Sequence, residues 1–154
     1  MKTFKNLIDE ILPNITELFP WDLEERIEAN NELLLIDLTE AKEFTTLHIK
    51  NSINVPRGIL ETACEWDYED TEPRLAVARN KEVVLICRSG NRSALAAYVL
   101  QEMGFTNVSS LKTGLRGWFD YEQALYDGNE NEVDEDVAEE YFSKGPRAEQ
   151  MNPA

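Results

Sequence analysis

The sequence has one histidine and two cysteines in 154 residues. That is too few for a structural zinc site of four cysteines, or of two cysteines and two histidines. A scaffold of several disulfides is excluded for the same reason, and only a single Cys64–Cys87 bridge stays open. Positive charge is scarce as well: 15 Lys and Arg stand against 30 Asp and Glu, a formal charge of −15. Phosphate backbones and anionic lipid repel such a chain, so neither nucleic acid nor a membrane surface is an expected partner. Long apolar runs are missing too. Runs such as Leu33 to Ile36 and Val83 to Cys87 fall far short of a bilayer span. The first residues carry no extended apolar stretch and no small-residue cleavage pattern; Phe4, Leu7, Ile8, Ile11 and Leu12 fall instead at helical spacing. The expected compartment is the cytoplasm, where thiols stay reduced. What is present, 42% hydrophobic and 29% charged residues in 17.7 kDa, is the balance of one globular domain with a real core.

Two short apolar runs organise the middle of the chain. Leu33 to Ile36 ends at Asp37, and Val83 to Ile86 ends at Cys87. Each is unalternating and followed by polar or glycine-containing sequence, as expected of a strand buried on both faces. Weaker strand patterns lie at Ile15 to Leu18, Ser52 to Val55 and Asn107 to Leu111. Helical patterns fall between them, at Leu23 to Ala29, Thr39 to Phe44, Leu75 to Arg79 and Ser93 to Met103. The last is the strongest: Leu95, Val99 and Met103 are four apart, Ala96, Tyr98 and Leu100 widen the stripe, and Gly104 follows as a stop. Alternating strands and helices imply an α/β fold with a mainly parallel sheet, whose binding crevice opens at the carboxyl ends of the strands. Asp37, Pro56-Arg57 and Cys87 follow three of the strands, so they are expected along one edge. From Asp127 to Glu140 the chain carries eight acids and no base. A solvated acidic tail is the simplest reading, although Val133, Val137 and Tyr141, four apart, would let a short helix dock.

Cys87 stands at the end of a buried strand, and Arg88-Ser89-Gly90-Asn91-Arg92 leads into the strongest helix. A tight loop between a strand and a helix N-terminus points backbone N–H groups inward as an anion nest, and the helix dipole adds partial positive charge. Gly90 lets the backbone come close; Arg88 and Arg92 bring full charges. A thiol in that setting is expected to ionise below the free value of about 8.5 and to act as a nucleophile.

This loop, Cys87-Arg88-Ser89-Gly90-Asn91-Arg92-Ser93, resembles the active-site loop of single-domain rhodaneses, the sulfurtransferase family. The likeness covers roughly Ile15 to Tyr126. Leu35-Ile36-Asp37 with Glu43-Phe44 resembles the family's first signature, and His48-Ile49 with Ser52 to Pro56 the second. Gly114-Leu115 and Trp118 match its terminal Gly and Trp. Thr39 stands where the family usually has Arg, Leu47 where it has Gly, and Lys50-Asn51 where it has Pro-Gly. The resemblance implies a five-stranded sheet flanked by helices on both faces: an N-terminal helical extension over 1–14, the rhodanese domain over 15–126, and an acidic tail over 127–154. It also implies a Cys87 persulfide that takes sulfur from a small anionic donor such as thiosulfate and gives it to cyanide or a thiol. Two steps through a covalent intermediate imply ping-pong kinetics. Arg92, with Arg88 and Arg57, would attract the anion, and neither a metal nor an organic cofactor is needed.

Rival readings share the nucleophile. A cysteine phosphatase or arsenate reductase needs a loop one residue longer, to encircle a tetrahedral oxyanion; four residues lie between Cys87 and Arg92. A protein-to-protein persulfide carrier passing sulfur to an accepting protein needs the same cysteine, whereas a purely binding rhodanese-like module does not. Of the other residues, His48 reads as a hydrogen-bonded core histidine. Asp37, with Glu40 three residues on, fits a capping box, the alternative being a role in orienting the loop or a substrate. Cys64 packs more simply than it serves as a redox partner of Cys87. Trp66 and Tyr68, in the long connection before the catalytic strand, are candidates for the pocket mouth.

Overall fold

The computed structural model describes all 154 residues, Met1–Ala154. Five strands, β1 (Thr16–Leu18), β2 (Leu34–Asp37), β3 (Ile53–Asn54), β4 (Val83–Ile86) and β5 (Val108–Leu111), form one sheet in the order β1-β5-β4-β2-β3. Every pairing is parallel. The sheet is therefore wholly rather than mainly parallel. Strands β2 and β4 are the buried pair that their unbroken apolar sequence demands, with Leu34 opposite Val83 and Asp37 opposite Ile86.

Eight helices connect and cover the sheet: α1 (Phe4–Ile11), α2 (Pro20–Ala29), α3 (Ala41–Thr46), α4 (Leu60–Ala63), α5 (Pro73–Ala76), α6 (Asn91–Glu102), α7 (Gly114–Asp120) and α8 (Glu135–Ser143). Because side chains alternate along a strand, β4 feeds two cores. Val83 and Leu85 join Leu60, Leu75, Ala96, Ala97 and Leu100 on one face. Val84 and Ile86 join Leu23, Leu47, Leu115, Trp118, Ala138 and Phe142 on the other. Helices on both faces bury both.

The apolar stripe of α6 is rotated from its sequence pattern. Ser93, Ala96, Ala97 and Leu100 are its buried face, while Leu95 and Val99 are half-buried and Tyr98 is exposed. Small residues bring the helix axis close to the sheet, so alanine rather than leucine marks the contact. The Gly104 and Phe105 amides then close the helix on the carbonyls of Gln101 and Leu100, the stop that Gly104 predicts.

The acidic segment differs more. Instead of a solvated tail it forms α8, started by the Asp134 carboxylate accepting from the Asp136 amide at 2.8 Å. The docking residues are Ala138 and Phe142, both buried, with Val133 and Tyr141 partly buried beside them; Val137 is 53% exposed. Ala138 and Phe142, four apart, define a face one position away from the expected one. No helix is long and apolar enough to cross a membrane.

Candidate active site

Cys87 directly follows β4, at the carboxyl edge of the sheet. The chain must turn at once into α6, and α7 fixes how it turns. The Leu115 amide donates to the Cys87 carbonyl at 2.9 Å and the Arg116 amide to the Arg88 carbonyl at 3.0 Å. Holding these carbonyls outward leaves the following amides to face inward. The approach is close enough that a Cβ on Gly114, at φ +61°, would stand 2.4 Å from the Cys87 carbonyl oxygen. Gly90 is the second tight point: its φ is +94°, and a Cβ there would lie 2.9 Å from the Thr113 nitrogen.

Three donors converge on Cys87 Sγ. The Gly90 amide lies at 3.1 Å, the Ser93 amide at 3.4 Å, and Ser93 Oγ at 3.3 Å. Ser93 Oγ in turn meets Ser110 Oγ of β5 at 2.7 Å. With Ser110 donating to Ser93, the Ser93 hydroxyl is free to donate to sulfur. The N-terminus of α6 adds its dipole at the same point. The cradle is thus two amides and a hydroxyl, built into a side chain with no exposed surface.

Both loop arginines are already engaged. Arg92 makes a paired contact with Glu43, at 3.1 and 3.0 Å. Burial pushes the Glu43 carboxyl up, but the Arg92 hydrogen bond and the Glu40 amide outweigh it and hold it below its usual value. The Glu43 hydrogen bond raises Arg92 correspondingly. Arg88 reaches the last turn of α8, where its Nη2 donates to the carbonyls of Tyr141, Phe142 and Lys144 at 3.1, 3.5 and 3.4 Å. Its guanidinium carbon stands 4.9 Å from the centre of the Tyr141 ring. Ser89 and Asn91 are exposed on the outer side of the loop.

The remaining sequence candidates divide. Asp37 is fully buried one strand from Cys87, and the Leu38 amide donates to the Ile86 carbonyl at 2.8 Å. It is not part of a capping box, because α3 starts at Ala41 and the box there is Glu40 with Glu43. Asp37 Oδ1 instead accepts from the Thr39 amide at 2.9 Å and the Thr39 hydroxyl at 2.5 Å, a tight local turn. Its Oδ2 has no partner. Arg57 pairs with Glu61 at 2.9 Å, not with the sulfur loop. Trp66 is 54% exposed between α4 and α5 and joins none of the hydrogen bonds or ring stacks around Cys87. His48 lies in the core, its Nδ1 2.8 Å from the Phe44 carbonyl and its ring stacked on Phe44. Cys64 is a free, buried thiol in the opposite core cluster from Ile86, and burial pushes it up to about 11. Sequence reasoning did not place Glu43, Ser110 or Tyr141 at the site. The pair of serines in the otherwise apolar β5 was a visible signal for Ser110.

Burial raises the Asp37 carboxyl, with the Thr39 hydrogen bonds pulling the other way. The folded chain therefore holds this proton more tightly than the unfolded chain does. Its stabilising contribution is complete below the unfolded value and is lost as pH rises through the folded one. Asp37→Asn, neutral at every pH, is expected to unfold at higher urea than wild type at about pH 7, with the gap closing toward about pH 4. Equal midpoints at both pH values would show that ionised Asp37 is not strained.

A wholly parallel α/β sheet with a strand-end cysteine, cradled by the turn into the next helix, defines the class. The chain belongs to the family of rhodanese-like domains, whose profile matches residues 20–121. It is 33% identical over 104 residues to YtwF of Bacillus subtilis, a protein assigned by inference as a sulfurtransferase, covering 68% of this chain and 90% of that one. It is 27% identical over 112 residues to the thiosulfate:glutathione sulfurtransferase of Saccharomyces cerevisiae, covering 68% and 81%. Other curated relatives are longer, and the chain spans only 51% of a Bacillus subtilis protein assigned as a sulfur carrier. Among solved structures it resembles a Rhodopseudomonas palustris protein of unknown function suggested to be a tyrosine phosphatase, with a TM-score of 0.72 and 26% identity. That match covers 80% of this chain and 93% of the other.

Proposed function

We propose that this chain is a sulfurtransferase that carries sulfur on Cys87, with the chemistry housed in residues 15–126. The Cys87 thiolate attacks the outer sulfur of thiosulfate or a related small anion. A new S–S bond forms, the donor's own S–S bond breaks, and sulfite leaves with the electron pair. Cyanide or a thiolate then attacks the outer sulfur of the persulfide, and the Cys87 thiolate departs. Each step is a two-electron displacement at sulfur, so no metal or organic cofactor enters the scheme. The supporting observation is the convergence of the Gly90 amide, the Ser93 amide and Ser93 Oγ on one sulfur atom. These donors are fixed before reaction and stabilise negative charge without reorganising. The nucleophile must stay reduced between turnovers, which suits the cytoplasm.

Loop length argues against the phosphatase alternative: four residues separate Cys87 from Arg92, one fewer than a loop that encircles a phosphate. Initial rates with thiosulfate and cyanide test the proposal: parallel double-reciprocal lines are expected. Hydrolysis of an aryl phosphate without thiosulfate turnover would move the chain to the phosphatases. Capture of a thiolated protein with negligible thiosulfate turnover would make it a protein-to-protein carrier.

A further inference from the structure

Cys87 lies where a parallel sheet normally opens a crevice, yet its side chain is fully covered. The catalytic loop meets α8 on this side. Arg88 reaches three carbonyls at the end of that helix, and Arg116 Nη1 reaches the Phe142 carbonyl at 3.1 Å. A helix leaves its last carbonyls without intrahelical partners, and α8 has no basic residue in its last turn. Arg88 of the loop and Arg116 of α7 supply the missing cations. Tyr141 is half-buried, with one ring face toward Arg88, and its hydroxyl is raised by burial and by Glu43. Arg88 directly follows Cys87 and its guanidinium carbon stands 4.9 Å from the ring centre, so the ring lies beside the sulfur loop. Helix α8 lies outside residues 20–121, the stretch that the family profile matches.

We propose that α8 is a lid on the sulfur site and that Tyr141 limits the molecules reaching Cys87 Sγ to small sulfur anions and small thiols. The proposal rests on reading Cys87 as the sulfur-bearing residue. A persulfide places its outer sulfur about 2 Å beyond Sγ, and an attacking group must approach from further out still. With no exposed sulfur surface, both half-reactions require the lid to shift. Its hold is suited to shifting: within α8 only Ala138 and Phe142 are fully buried, Tyr141 is partly so, and the Arg88 and Arg116 hydrogen bonds pin the helix end. In the closed form Arg88 donates to neutral carbonyls. An incoming anion offers it stronger, charge-assisted bonds in planar geometry, so the donor itself competes for the latch. Glu135, Asp136, Glu139 and Glu140 are exposed on the helix. They give the lid no further apolar grip and keep its outer surface in water.

Alkylation of Cys87 in the full chain, mapped by peptide mass, tests the lid without sulfur chemistry. Iodoacetamide serves as the small reagent and a fluorescein maleimide as the large one. Tyr141→Ala removes the ring, and Arg116→Gln loosens the helix end from outside the loop. Tyr141→Ala is expected to speed Cys87 labelling at least about tenfold, and more for the large reagent. Arg116→Gln should shift it the same way by less. Cys64, in the opposite core cluster, is the internal control and should not change. Unchanged Cys87 rates in both variants would reject the lid, as would equal acceleration at Cys64, which signals general loosening. If the lid behaves as expected but no persulfide ever forms, the sulfurtransferase reading fails and the lid stands.

Discussion

Cys87→Ser is expected to lose sulfur transfer by more than about a thousandfold while keeping the fold. The hydroxyl can accept from the same Gly90 and Ser93 amides that now face sulfur at 3.1 and 3.4 Å. The loop therefore has no reason to rearrange, and stability should stay within about 1–2 kcal/mol of wild type. What is lost is the element: an alkoxide is not formed near neutrality, and oxygen cannot carry sulfane sulfur as a persulfide. Thiosulfate turnover and a urea midpoint measured on one preparation separate the two effects. Retained turnover would move the nucleophile elsewhere.

Gly114→Ala should be nearly as damaging by a different route. The added methyl would lie 2.4 Å from the Cys87 carbonyl oxygen and 2.6 Å from the Arg88 carbonyl carbon, both backbone atoms that cannot swing aside. The φ of +61° adds strain. Relief requires α7 to retreat, which releases the Leu115 and Arg116 amides from the loop carbonyls. The peptide planes that aim the Gly90 and Ser93 amides are then free to turn. A loss of about 2–4 kcal/mol in stability is expected, together with at least about a tenfold loss of turnover in the protein that remains folded. Gly58→Ala, where a Cβ meets nothing within 4 Å, is the control and should be close to neutral. A Gly114 variant that behaved like the Gly58 variant would show that α7 does not shape the loop.

The parts of this architecture legible in the sequence are those written locally. Val83 to Ile86 states its own burial, and the turn from Cys87 into α6 is compressed into a few residues with Gly90 at its tightest point. Helix α7 was not visible, because two glycines in seven residues erase its periodicity; only the resemblance drew attention to Gly114. Helix α8 was obscured by its charge, since four of its nine residues are acidic and its grip rests on Ala138 and Phe142. Charge alone also overstated the loop. Arg88 and Arg92 look free in sequence, yet each has a partner about 50 residues away, and such pairings are decided by the topology rather than by neighbours along the chain. Asp37 shows the same effect in reverse. Thr39, two residues on, satisfies one carboxylate oxygen and leaves Oδ2 without a partner.

Intact mass after incubation with thiosulfate is the most direct test of the central claim, that one cradled sulfur atom at Cys87 accepts and hands on another. The account predicts a gain of one sulfur per chain, located on the peptide bearing Cys87 and removed by cyanide. A mass that never changes, or a sulfur that resides on Cys64, would contradict it.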